Sequence, residues 1–143
     1  MSFLDKLKFK LWDDVGAVVD AITKWRPRKC ATEKDYEKSL YAYLHEVFDD
    51  TQITKQFAQG RIRADLKVGK DVIVELKHNL DSTAKLQLLI GQLSQYEDWG
   101  GRVVVLLTGE TEPNLRKELG LFLRKQGWDD DGFSHGKVTI AEK

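Results

Sequence analysis

Two short segments, Arg61-Ile-Arg-Ala-Asp65 and Val72-Ile-Val-Glu75-Leu-Lys77, carry two acids and a lysine at spacings that adjacent strands would bring to one edge. Side chains alternate between faces along a strand. Ile62, Ala64, Leu66 and Val68 then share one face, and Arg61, Arg63, Asp65 and Lys67 the other. Val68-Gly-Lys-Asp71 reads as a turn, after which Glu75 and Lys77 point the same way. In such a hairpin Asp65 comes up against Glu75 across the ladder. Facing carboxylates repel unless a cation sits between them, and Mg²⁺ is a hard ion held by one or two carboxylates while keeping several waters. Lys77, one pleat further on, is then placed to orient an attacking water or to meet developing phosphate charge. A strand face of mixed charges is otherwise simply solvated, so the elements around the hairpin decide between the two.

The first of those elements is a stripe of Leu4, Leu7, Leu11, Val15, Val18 and Ile22 at three- and four-residue steps, which predicts an amphipathic helix ending before Pro27. Such a stripe most often packs on its own domain and less often serves a membrane surface or a dimer; with Trp12 and Trp25 nearby, this helix is the candidate for a homodimer contact. Lys24-Trp-Arg-Pro-Arg-Lys29 follows as a basic linker, a solvated connection or a contact for a phosphate backbone. Thr32 caps a second helix to about Phe48, with Asp35 completing a weak capping box. Its stripe is Tyr36, Leu40, Tyr43, Leu44 and Val47. Glu33 and Glu37 project along or beside that stripe, whereas Asp35 and Glu46 point away. A carboxylate facing a core needs a partner, so Glu33 and Glu37 are candidates to reach a metal or a basic group.

Thr51 to Phe57 reads as a strand, and with the hairpin it makes a three-strand meander. Ser82 or Thr83 opens a long, largely buried helix to about Trp99, on which Gln92 and Tyr96 sit four apart on one face. Arg102 to Thr108 is a continuous apolar run, typical of a strand buried on both faces. A helix runs from Pro113 to Gly127, and Lys137 to Ala141 reads as a closing strand. His78 reads as an ordinary strand-end residue and Asp129-Asp-Asp131 as loop. The order predicts an α/β fold with a mixed central sheet flanked by helices.

Composition sets the bounds. The 143 residues suit one domain, with 1–31 as N-terminal helix and basic linker and 32–143 as core. Lys+Arg and Asp+Glu both number 23, so any grip on nucleic acid must come from local patches. A single Cys30 excludes an internal disulfide and a cysteine zinc site, and the lack of a leader or long apolar run gives the expectation of a cytoplasmic protein without membrane contact.

Over roughly residues 32 to 108, this order and these residues resemble the PD-(D/E)XK nuclease superfamily. Asp65, nine residues and Glu75-Leu-Lys77 are similar to its Asp…Glu-x-Lys signature, with Ala64 at the variable position where the family name has Pro. Gln92-Leu-Ser-Gln-Tyr96 looks like the Gln-x-x-x-Tyr element of the RecB-like branch, and the chain is similar in size to the dimeric Holliday-junction resolvases. The resemblance implies a restriction-endonuclease-like core and an endonuclease using Mg²⁺ or Mn²⁺ on DNA. It implies a metal held by Asp65, Glu75 and the Leu76 carbonyl, with Lys77 assisting the water. Glu37 resembles the glutamate sent in by the first core helix, while Gln92 and Tyr96 would support the site and contact DNA. Arg61 and Arg63 would then touch flanking phosphates. A fold-retaining DNA-binding or assembly module without catalysis is the rival expectation.

Overall fold

The computed structural model describes residues 14–131 and 135–143. The stripe residues Leu4, Leu7 and Leu11, with Trp12, lie outside the described residues. Its remainder forms α1 (Asp14–Lys24), which buries Val15, Val18 and Ile22. There follow α2 (Glu33–Val47), β1 (Ile53–Gln59), β2 (Ile62–Val68), β3 (Val72–His78) and α3 (Thr83–Ser94). After a 3₁₀ turn (Gln95–Asp98) come β4 (Arg102–Thr108), α4 (Pro113–Gln126) and β5 (Val138–Glu142).

The five strands lie in sequence order, with β1–β2–β3 antiparallel and β3–β4–β5 parallel. The α/β class with a mixed sheet flanked by helices is therefore present. Helices α1 and α2 cover one face of the sheet, where Leu40, Leu44, Val74 and Leu106 share a core. Helices α3 and α4 cover the other, where Leu89, Ile73, Val105 and Leu119 pack together. The apolar run of β4 is buried on both sides, as its composition requires. Among the described residues, no helix is long and apolar enough to cross a membrane.

Local chemistry explains the ends of the elements. The Thr32 side chain accepts from the Asp35 N–H while the Asp35 carboxylate accepts from the Thr32 N–H, so the capping box is complete. Helix α4 starts on Pro113 and stops at Gly127, whose φ of 72° is the left-handed C-terminal conformation that glycine adopts without strain.

Three expectations are corrected. Strand β1 begins at Ile53 rather than Thr51 and runs on to Gln59. Helix α3 ends at Ser94, and Tyr96 sits on the 3₁₀ turn, so Gln92 and Tyr96 do not share a continuous α-helical face. That helix is amphipathic rather than largely buried: Leu86, Leu89 and Leu93 face the core, but Leu88 is 67% exposed.

A fourth correction concerns the site. Ile62 and Ala64 pack into the α3/α4 core, but Leu66 and Val68 pack into the α1/α2 core. Period-two alternation would keep all four on one face, so β2 rolls over between Ala64 and Leu66. Strand β1 does the same, with Lys55 over the Tyr41 ring of α2 and Phe57 against Trp99 on the opposite side. Between them Gln56 has φ 50°, in the left-handed region that an unbranched non-glycine residue rarely enters. The paired residues on either side, Lys55 with Leu66 and Phe57 with Ala64, place Gln56 opposite Asp65 at the roll-over.

Candidate active site

The β2–β3 ladder pairs Val68 with Val72, Lys67 with Ile73 and Leu66 with Val74, and then stops. One step further the same register sets Asp65 against Glu75, where the strands part. Parting leaves the β3 backbone on that side without its ladder partner, and a buried N–H must be satisfied. Asp65 supplies the partner: its Oδ2 accepts from the Leu76 N–H at 2.8 Å. Within a strand residue, N–H and C=O point to the same side, so the Leu76 carbonyl faces the same gap. Extended by one residue, the register puts Asp65 opposite Glu75, where the alternation of the hairpin led it to be expected.

Glu75 is 3% exposed. Its Oε2 lies 2.8 Å from the Tyr96 hydroxyl, which also donates to the Arg63 carbonyl, and Lys77 Nζ stands 3.8 Å from its Oε1. Burial, then the neighbouring Asp65 charge, push the Glu75 carboxyl up to about 8. Burial also raises Asp65 to about 6, against the Leu76 N–H bond, and the Glu37 and Glu33 charges add to the rise. Tyr96 is driven above its ordinary value by burial and by Glu75. The phenol has one proton for two acceptors.

Helix α2 contributes two of its acids, Glu33 and Glu37. Glu33 Oε1 accepts from the His78 N–H at 3.0 Å, at the end of β3, while Glu37 Oε1 accepts from Gln56 Nε2 at 2.6 Å. Both charges act on Asp65, and Glu33 also acts on Glu75. Beside them a cavity of about 190 Å³ is lined by Glu33, Lys77, His78, Leu80, Lys85 and Leu88. The Tyr36 ring lies 5.0 Å from that of His78, whose Nδ1 is 3.0 Å from Thr108 Oγ1. Gln92 Oε1 is buried without a hydrogen-bond partner, an orphan acceptor of a kind rare in folded proteins.

The other site expectations fare unevenly. Arg61 lies in the turn before β2, and Arg63 folds its guanidinium back onto the Gly60 and Ile62 carbonyls. Because β2 rolls over, neither shares a regular strand face with Asp65. Asp129 to Asp131 is loop, in which Asp130 accepts from the Gly136 N–H and the Thr139 hydroxyl. Gln56 and the Arg63 carbonyl were missed. Gln56 is found by extending the β1–β2 register to the residue opposite Asp65, but its backbone conformation leaves no trace in residue type.

Among the described residues, no three His, Cys, Asp or Glu side chains form a metal-binding group. The donors at the gap are two carboxylates and a backbone carbonyl, a hard oxygen set matching a Mg²⁺ that keeps several waters. Their raised proton affinities have the same origin as affinity for a cation: negative charge held out of water near negative charge. The chain matches no protein-family model, and neither a curated protein nor a solved structure is detectably similar to it.

Proposed function

We propose that this chain is a Mg²⁺- or Mn²⁺-dependent nuclease, with a restriction-endonuclease-like core, that hydrolyses DNA phosphodiester bonds as an endonuclease. The observation carrying this reading is that the ladder opens where the buried Glu75 meets the half-buried Asp65, with Lys77 beside them. A purely structural hairpin gains nothing from that arrangement, since it leaves charge desolvated against like charge.

In this reading Asp65, Glu75 and the Leu76 carbonyl hold the divalent ion, which when bound acts as Lewis acid and lowers the proton affinity of water. Tyr96 fixes the Glu75 carboxyl, and Asp65 is fixed by the Leu76 N–H. Lys77 directs its ammonium group to the attacking water and meets charge developing on the phosphate. Glu33, held against the end of β3, and Glu37, held by Gln56, add negative potential that favours the cation. Gln92 has an unsatisfied amide oxygen to offer to water or substrate.

The second reading, a DNA-binding or assembly module without catalysis, draws on Glu75 being already engaged by Tyr96 and Lys77. Labelled single-stranded, duplex and four-way-junction DNA, incubated with Mg²⁺ or Mn²⁺, separates the two. Cleavage by the wild type, lost in both Asp65→Ala and Lys77→Ala, is the expected outcome. An inert wild type that also fails to bind metal in a titration removes the nuclease reading.

A further inference from the structure

The carboxyl ends of β3, β4 and β5 lie together, because Lys77 pairs with Leu107 and Leu107 with Glu142. Open α/β sheets bind ligands beyond those ends. Next to the carboxylate site on this side is an open bowl lined by Thr23, Trp25, Arg26, Pro27, Arg28 and Lys143. Its cations come from the segment after α1 and from the residue after β5. Lys143 Nζ donates to the Thr23 carbonyl at 2.7 Å, and Arg26 Nη1 donates to the same oxygen at 2.8 Å and to the Trp25 carbonyl at 3.1 Å.

Capping of helix α1 accounts for one cation at this carbonyl. It does not account for two on one oxygen with Arg28 beside them. Among the described residues, none of the three has a carboxylate within ion-pair distance: Asp20 is taken by Lys24 and Glu142 by Arg116. Burial, and then the nearby Arg26 charge, push the Lys143 ammonium below its ordinary value.

The bowl is joined to the site by a row of rings. Trp25 stands edge-on to Tyr36 at 6.3 Å, and Tyr36 lies 5.0 Å from His78, which follows Lys77 and lines the cavity beside it. Trp25 is itself held by its Nε1–H on Ser39 Oγ, so the row is a fixed spacer.

We propose that Arg26, Arg28 and Lys143 form a phosphate-binding subsite for the nucleic-acid backbone flanking the scissile bond, reached from Lys77 past Tyr36. This rests on the nuclease reading for the identity of the ligand but not on catalysis. It also supplies the local basic patch that a chain of zero net charge needs in order to hold a polyanion.

The test is fluorescence anisotropy of labelled single-stranded and duplex oligonucleotides with the full chain in EDTA, where no cleavage occurs, over a series of salt concentrations. Each phosphate contact contributes about 0.7–0.9 to the slope of log affinity against log salt. The triple variant Arg26→Gln/Arg28→Gln/Lys143→Gln is expected to flatten the slope by about two and to lose tenfold or more in affinity. Arg28→Gln alone flattens it by up to about one, and its exposed side chain makes no fold contact whose loss could mislead. Lys117→Gln/Lys125→Gln, exposed on α4, should leave the slope unchanged.

If the wild type binds with a steep slope that the triple variant and Arg28→Gln both keep, the subsite is overturned and the nuclease reading stands. An equal loss in the α4 control also overturns it, since the effect is then general charge. No binding by the wild type removes both proposals. Bowl-dependent binding without cleavage in Mg²⁺ supports the subsite and sinks only the nuclease.

Discussion

At the scale of the residue, the two central carboxyls pull on the pH dependence in a definite direction. Glu75 is raised from an ordinary value of 4.5 to about 8 and Asp65 from 3.8 to about 6. The folded state therefore holds protons that the unfolded chain has released. Their contribution to stability is complete below pH 4 and is lost as pH rises through 6 and then 8. Glu75→Gln removes the larger part of that loss while keeping an acceptor for Tyr96. Urea denaturation in EDTA should show the variant gaining on the wild type between pH 5 and pH 8.5, by at most about 4 kcal/mol. An equal difference at both pH values would contradict the raised Glu75. Tyr96→Phe acts the other way, because the phenol's hydrogen bond lowers Glu75. The acidic limb of a cleavage profile should then move to higher pH. Asp65 opposite Glu75 was legible in the sequence because the short turn after Val68 sets the register, and Lys77 because it lies one pleat beyond Glu75 on the same strand. The choice between Glu33 and Glu37 was not, since residues four apart on a helix share a face, and here both reach the site through different partners.

At the scale of the element, the site depends on how α2 and the hairpin are fastened. The Thr32 cap lies next to Glu33, so Thr32→Ala should cost about 1 kcal/mol of stability. It should also weaken the hold of Glu33 on the His78 N–H, which in the proposed nuclease would be read as a drop in kcat. The other fastening is at Gly101, where a Cβ would stand 1.9 Å from the Asp71 carbonyl oxygen. That oxygen also accepts from the Arg102 N–H and from Trp99 Nε1, tying the β2–β3 turn to β4. Gly101→Ala forces these apart, and denaturation should register a larger loss than for Thr32→Ala, about 1–3 kcal/mol. Element order, the capping box and the buried strand β4 could be read from periodicity, because each rests on local residue types. The roll-over of β1 and β2 could not: the buried positions of β2 keep their period of two while switching cores. The same physical fact displaces Arg63 from the face of Asp65.

At the scale of the whole molecule, the site draws on both layers around the sheet, with Glu33 and Glu37 from the α2 side and Tyr96 from the α3 side. A cation bound between Asp65 and Glu75 therefore restrains elements packed in both cores. It also replaces the protons that keep like charges together in the folded state. Any ligand that binds only the folded form stabilises it, by about 2.7 kcal/mol at a hundred times its dissociation constant. For a chain of this size each kcal/mol moves the melting point by roughly 2–4 °C. Saturating Mg²⁺ at pH 8.5 should thus raise the Tm of the wild type by about 5–10 °C in a thermal scan. The shift should shrink at pH 6, where protons compete for the same oxygens, and vanish in Asp65→Ala. A shift that survives in Asp65→Ala would place the cation away from the Asp65–Glu75 gap, and with it the proposed chemistry, because Glu75 is the one buried carboxylate among the described residues.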